Sequence, residues 1–215
     1  IFIKRLIGNM KRKLYYLAAL VLCLTAVGLQ AQDRGTSLVD ALAKKMTGLK
    51  NYRIEFTADM ENEFSELPGK IVVGGSCYRV EINDYEVSCD GKNLYTYNTD
   101  EDEVTTDPSP LTNPARFFQS GLKDFQCIYK GTGTVNGKKV ERIELVPAKQ
   151  QAGGCRSILL ALDQNALPVS IEYLTEGAAP ISIAIQKVVP LTEIPSDTFI
   201  FNRKAHPEVE VIDFR

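Results

Sequence analysis

The residues best suited to chemistry are few, and their spacing decides what they can do. His206 is the only histidine in the 215-residue chain. Catalysis by a serine, a histidine and an aspartate would rest on that one imidazole, and no Gly-x-Ser-x-Gly elbow precedes a helix. Sites built from several histidines are excluded outright. Cys77, Cys89, Cys127 and Cys155 follow one another at intervals of 12, 38 and 28 residues, which match no zinc pattern. The run Asp100-Glu101-Asp102-Glu103 lacks the glycine and spaced oxygens of a calcium loop and reads as a solvated turn. Gly74-Gly75, Gly131-x-Gly133 and Gly153-Gly154 fall between strand patterns, where they serve turns or bulges and not phosphate binding. No metal site, no cofactor site and no enzyme follow from these residues.

The elements that would position these residues are mostly strands. Tyr52, Ile54, Phe56, Ala58 and Met60 alternate with Arg53, Glu55, Thr57 and Asp59, one apolar face and one wet face. The same period runs through Ile71-Val73, Tyr78–Ile82, Tyr85-Val87, Leu94–Tyr97, Glu103–Thr106, Phe125–Tyr129, Lys139–Val146, Arg156–Asp163, Val169–Leu174 and Ile181–Lys187. That predicts about eleven strands, with Phe199–Phe201 and Val209–Ile212 as further extended stretches. Ahead of them Leu38, Leu42, Met46 and Leu49 recur at helical spacing, and Ser37-x-x-Asp40 has the form of a capping box. Asn113-Pro114 through Gly121 predicts a short internal helix with a proline start and a glycine stop. The fold class is therefore mainly β (α+β), an antiparallel sheet with two helices laid against it.

Charge and hydropathy place the chain outside the cytoplasm. Residues 1–31 carry five basic residues and no acid, leaving 20 basic and 27 acidic residues, net −7, from Gln32 onward. An acidic body argues against nucleic acid as a partner. Met10 is read as the start, Lys11-Arg12-Lys13 as a charged leader, Leu14–Leu29 as an apolar run, and Ala31 as the cleavage point of a secretory signal peptide. An N-terminal membrane anchor is the alternative, but the run is shorter than the roughly 20 residues a spanning helix needs. Residues 32–215 are expected to form one domain. In an oxidising compartment its four cysteines allow three disulfide connectivities, and the pairing stays open. If Asn83-Asp84 is a two-residue turn, Tyr78 faces Cys89 and Cys77 lies on the other sheet face, so Cys77 and Cys89 cannot bridge. A bulge near Gly74-Gly75 or a longer turn would reverse that.

Many strands put their branched apolar residues on one side. Pattern alone fits an ordinary packed β core better than its rival, a half-open barrel around an apolar cavity. The order of motifs adds a resemblance. Asn51-Tyr52-Arg53-Ile54-Glu55-Phe56-Thr57, Gly69-Lys70-Ile71-Val72-Val73, Tyr78-Arg79-Val80-Glu81-Ile82 and Cys89-Asp90-Gly91-Lys92-Asn93-Leu94-Tyr95-Thr96-Tyr97-Asn98 follow one another, ending with Phe199-Ile200-Phe201 and His206–Asp213. This succession resembles the LolA family, periplasmic carriers of outer-membrane lipoproteins in Gram-negative bacteria, over nearly all of residues 33–215.

The resemblance implies an incomplete barrel of eleven antiparallel strands with helices as a lid. Its apolar cavity would take the acyl chains of lipoproteins from an inner-membrane ABC exporter and pass them to an outer-membrane acceptor. By it, Ile54, Phe56, Ile71, Val73, Val80, Val87 and Leu94 are cavity-wall residues, Phe117, Phe118 and Leu122 are lid residues, and a periplasmic monomer without enzymatic activity is expected. One departure stands out. Family members carry a basic residue before a proline just after the second strand, tied to lid closure and release, and this chain has Gly74-Gly75-Ser76 there. The alternatives are a binder or sensor of another lipid or of mislocalised lipoprotein, a lipid hydrolase, and a structural β module without ligand.

Overall fold

A computed structural model describes residues 33–60, 64–108, 124–149 and 155–215. The predicted signal peptide, the predicted helix over Asn113–Gly121, the pair Gly153-Gly154 and the lid residues Phe117, Phe118 and Leu122 lie outside the described residues.

Helix α1 spans residues 33–49. Gly35, Val39, Leu42 and Met46 are its buried positions, a stripe at intervals of four, three and four residues. Ser37 and Asp40 sit inside the helix and not at its start, so the expected capping box does not cap it. The periodic apolar residues begin at Leu38, but the first turn is set further back, because Gly35 lets it approach strand β7. A β-carbon on Gly35 would stand 3.0 Å from the Cys127 carbonyl oxygen and the Tyr129 amide nitrogen. The helix stops at Lys50, whose φ of 57° is left-handed, the conformation of a C-terminal cap. Val39, Leu42 and Met46 are 3%, 0% and 1% exposed. At about 1.5–3 kcal/mol per chain, their burial contributes roughly 5–9 kcal/mol as an upper estimate, comparable to the roughly 5–15 kcal/mol net stability of a whole domain.

Twelve strands follow: β1 (Asn51–Met60), β2 (Phe64–Gly74), β3 (Cys77–Ile82), β4 (Tyr85–Cys89), β5 (Asn93–Asn98), β6 (Glu103–Pro108), β7 (Phe125–Val135), β8 (Lys138–Pro147), β9 (Cys155–Leu162), β10 (Pro168–Thr175), β11 (Ile181–Pro190) and β12 (Glu210–Asp213). They form one sheet in the order β12-β6-β5-β4-β3-β2-β1-β11-β10-β9-β8-β7. It consists of two antiparallel meanders, β1–β6 and β7–β11, seamed where β1 pairs with β11. Hairpin turns carry the positive φ their geometry demands, at Gly75, at Asn83, and at both Asn136 and Gly137. The eleven predicted strands are all present. Phe199–Phe201 is not a strand, whereas the extended stretch expected at Val209–Ile212 is β12, which pairs parallel to β6.

The sheet is open, with β12 and β7 as its edges. Strands β6 and β7, consecutive in the chain, are ten strand spacings apart. Laid flat, that is nearly 50 Å at about 4.8 Å per spacing, close to the reach of roughly 55 Å of the residues joining them. An incomplete barrel brings the two edges together and relieves that constraint.

The residues after β11 cross the outer face of the sheet as a strap. Ile194 and Phe199 pack over Gly74 of β2, where an added β-carbon would meet them at 3.0–3.1 Å. Further on, Phe201 and Val209 join Tyr97 and Val104 in a separate apolar cluster. His206 is stacked on Phe201 with ring centroids 5.4 Å apart. The Tyr97 hydroxyl lies 2.8 Å from Asp102 Oδ1 and 3.1 Å from His206 Nδ1. A phenol has one proton, so donation to Asp102 makes His206 Nδ1–H the donor to Tyr97. The single histidine thus fastens the strap that leads into β12.

Candidate functional site

The inner face follows from the registers. Ile54 of β1 lies opposite Ile71, Ile71 opposite Val80, and Val80 opposite Val87. On the other side of β1, Ile54 faces Val188. This five-strand row carries no charge. A second row runs Tyr52, Val73, Tyr78, Cys89, Leu94. Across the seam, Ala58, Ile183, Ile171, Leu160 and Ile143 continue the apolar surface. All seven residues expected in the wall, Ile54, Phe56, Ile71, Val73, Val80, Val87 and Leu94, belong to or pack against one apolar cluster, together with Val39, Leu42 and Met46 of α1. Burial pushes the Tyr52 phenol up to about 12, and burial followed by the nearby Cys89 does the same to Tyr78, so both inner hydroxyls are neutral at physiological pH.

Burial sorts the inner face into two sets. Ile54, Val73, Tyr78, Cys89, Ile143, Leu145, Ile158, Leu160 and Leu162 are buried. Ile71, Val80, Ile82, Val87 and Leu94, on β2 to β5, are only half-buried, as are Ile171 and Ile183 on β10 and β11. Tyr85, at the rim of the β2–β5 flank, is 46% exposed. Phe56 has a particular place. Its ring lies over Gly69, its cross-strand partner, where a β-carbon would come within 2.5 Å of the ring. An aromatic ring covers the position that glycine leaves bare.

The outer face of the same strands is a ladder of charges. Lys187, Glu55, Lys70, Glu81 and Glu86 are successive cross-strand partners. Glu81 and Glu86 are like charges directly opposite each other, which alone is unfavourable. Arg79 resolves the conflict by bonding both, its Nε 3.0 Å from Glu81 and its other arm on Glu86, while Lys70 Nζ reaches Glu81 at 2.6 Å. Burial raises the Glu81 carboxyl, but its hydrogen bonds to Lys70 and Arg79 outweigh this and hold it below the ordinary carboxylate range. A groove of about 900 Å³ lies here, lined by Arg53, Glu55, Lys70, Val72, Arg79 and Glu81 among others.

Two sequence motifs acquire a physical role. Asp90 closes the β4–β5 turn by accepting the Lys92 and Asn93 amides at 2.8 and 2.7 Å, and Gly91 supplies a φ of 90°. In the Asp-Gly-Lys-x-Leu-aromatic-x-Tyr segment, Leu94 then points inward while Tyr95 and Tyr97 point outward. Gly75-Ser76, standing where the family has its basic residue, is the β2–β3 turn, and the Gly75 amide donates to the Lys50 carbonyl at the end of α1. Of the cysteines among the described residues, Cys77 is half-buried and Cys89, Cys127 and Cys155 are buried. Tyr78 faces Cys89 as expected, which sets Cys77 on the opposite face. Among the described residues no group of three or more His, Cys, Asp or Glu comes together as metal ligands would. Of the acidic run, Asp100, Glu101 and Asp102 form the turn before β6, which Glu103 opens, and Asp102 anchors Tyr97. The charge ladder and the strap were not found from sequence. The alternation of Arg53, Glu55, Arg79 and Glu81 signals the first, but only the register shows which charges meet.

No protein-family model matches the chain, and no curated protein matches it. Solved structures do. An uncharacterized conserved protein from Thermus thermophilus is similar over 83% of this chain and 98% of its own, at 11% identity and a TM-score of 0.59. The shared property is the fold. MucB is similar over 84% of this chain and 66% of its own, at 15% identity and a TM-score of 0.49. A LolA superfamily protein from Nitrosomonas europaea is similar over 78% of this chain and 97% of its own, at 9% identity and a TM-score of 0.41.

Proposed function

We propose that the protein is an exported, non-enzymatic carrier that holds the acyl chains of lipoproteins against the inner face of its half-barrel. The observation that carries this reading is the uncharged row Ile71–Val80–Val87, with Leu94 beside it, left half-buried on a protein whose other face is a ladder of paired charges. A face of that kind suits an aliphatic chain, since each methylene removed from water is worth about 0.8 kcal/mol and acyl chains do not cross water unaccompanied. The motif succession adds the carrier role. On this reading the cargo comes from an inner-membrane ABC exporter and goes to an outer-membrane acceptor, and the carrier works as a periplasmic monomer.

The lid of this reading is the connection from β6 to β7, which carries Phe117, Phe118 and Leu122. What supports it is topology: that connection runs from β6, which lies next to the edge strand β12, to β7, the other edge of the open sheet. On this reading the seven wall residues touch the acyl chain.

Native mass spectrometry of the protein purified from an envelope fraction tests the reading. Acyl species are expected to travel with the wild type and to be lost from Val87→Asp, whose far-ultraviolet circular dichroism should be unchanged. A wild type that carries no acyl species and takes up none from detergent-solubilised lipoprotein refutes it.

A further inference from the structure

We propose that α1 is a fixed wall of the half-barrel and not its gate, so that an aliphatic chain enters and leaves along the β2–β5 flank while α1 stays docked. This rests on the binding reading above and adds where the moving boundary lies. Three observations meet on α1. Val39, Leu42 and Met46 are sealed in the same cluster as the innermost residues of β8 and β9, and lifting the helix would expose all three at a cost comparable to unfolding the domain. Gly35 sits against the β7 main chain so closely that no side chain fits between. Beside it the first turn is clamped: the Arg34 guanidinium lies 4.9 Å above the Tyr129 ring and 2.7 Å from Glu141 Oε1, and the Tyr129 hydroxyl donates to the other Glu141 oxygen at 2.5 Å.

The β2–β5 flank is held less tightly along one row. Val73, Tyr78 and Cys89 are buried there, but Ile71, Val80, Ile82, Val87 and Leu94 beside them are half-buried, and a chain laid along their exposed parts displaces solvent. The lowest-cost route into the apolar face therefore runs past β2–β5 and leaves α1 untouched.

The test uses a disulfide that one substitution creates. Thr36 follows Gly35, which stands against the Cys127 and Tyr129 main chain, and it neighbours the Cys127 thiol, so Thr36→Cys places a second sulfur near Cys127 and oxidation pins the first turns of α1 to β7. The probe is cis-parinaric acid, a fluorescent fatty acid. Oxidised and reduced Thr36→Cys are expected to bind it with affinities within about twofold of each other, while Val87→Asn weakens binding by about tenfold, the cost of burying an unpaired amide. Hydrogen exchange of the wild type, with and without the probe, gives a second readout, in which the amides of residues 39–46 keep their protection.

Binding that is lost on oxidation and restored by reductant overturns the proposal, as does deprotection of residues 39–46 by the probe. Unchanged binding by Val87→Asn overturns the assignment of the flank. A wild type that binds no probe in any form removes the binding reading itself, a different outcome from binding that depends on the crosslink.

Discussion

Gly69→Ala should destabilise the protein, although replacing a strand glycine would ordinarily help. A β-carbon at Gly69 stands 2.5 Å from both Cε2 and Cζ of Phe56. Carbon atoms rest at about 3.5–4.0 Å, so the ring must retreat by about 1 Å into packed neighbours. Overpacking of this kind costs about 1–3 kcal/mol. Against it stands the roughly 0.5–1 kcal/mol by which glycine weakens a strand interior. At the middle of both ranges the overpacking term wins, leaving a net loss of about 1 kcal/mol, or a fall in Tm of about 2–4 °C for a domain of this size. Urea unfolding followed by circular dichroism measures it. The decisive comparison is the double mutant, because Phe56→Leu removes the ring tip. In that background Gly69→Ala should be neutral or slightly stabilising, giving a coupling energy of at least about 1 kcal/mol. Equal destabilisation in both backgrounds would mean that Phe56 does not cover Gly69 and that the inner face is shaped otherwise.

Arg79→Met should leave Glu81 and Glu86 facing each other and lower stability at neutral pH. Because the Glu81 carboxyl is held down in the folded state, its stabilising contribution is present above the unfolded carboxylate value near 4.3 and is lost as pH falls through the lower folded value. The wild type should therefore lose more stability than Arg79→Met on going from pH 6 to pH 3, as read by Tm; parallel profiles count against the bridging role of Arg79. Tyr97→Phe removes the hydroxyl shared by Asp102 and His206, and faster hydrogen exchange should appear in residues 209–213 before anywhere else in the sheet; uniform acceleration would contradict a local clamp. Thiol labelling of the native protein should find Cys77 first and Cys89, Cys127 and Cys155 only on unfolding, with the Cys77 rate rising toward alkaline pH because burial raises its thiol; a Cys77–Cys89 disulfide in non-reducing peptide maps would contradict the register of β3 and β4.

Much of this was legible beforehand, because period two is a strong signal where one face is buried and the other charged. Arg53, Glu55, Arg79 and Glu81 mark the wet side of β1 and β3, and the inner partners follow from them. The Asn83-Asp84 turn puts Tyr78 opposite Cys89 and so sets Cys77 on the other face, but only the observed register rules out the bulge or longer turn that would reverse it. The misreadings share one cause. Ser37 and Asp40 look like a helix start because hydroxyl and carboxylate cap helices locally, yet the true first turn is set by how closely Gly35 lets it approach β7, a contact about ninety residues away in sequence. Phe199–Phe201 looks extended and apolar, which it shares with strands, but those aromatics are held by packing on Gly74 and Tyr97 and not by a backbone ladder.

The seam between the two meanders has a cost during synthesis. Strand β1 meets β2 almost at once, but its other edge waits for β11, since Phe56 pairs with Gly69 on one side and with Ile185 on the other. At about 5–20 residues per second, the intervening stretch of about 130 residues takes on the order of ten seconds to emerge. Throughout that interval the nascent chain presents a long, bare, greasy strand edge, the kind that templates aggregation. A truncated chain ending after β6 is expected to scatter light at concentrations where the full chain stays clear, and a clear solution of that fragment would show that something other than β11 shields the edge. A holding chaperone in the cell would have its first client site on β1.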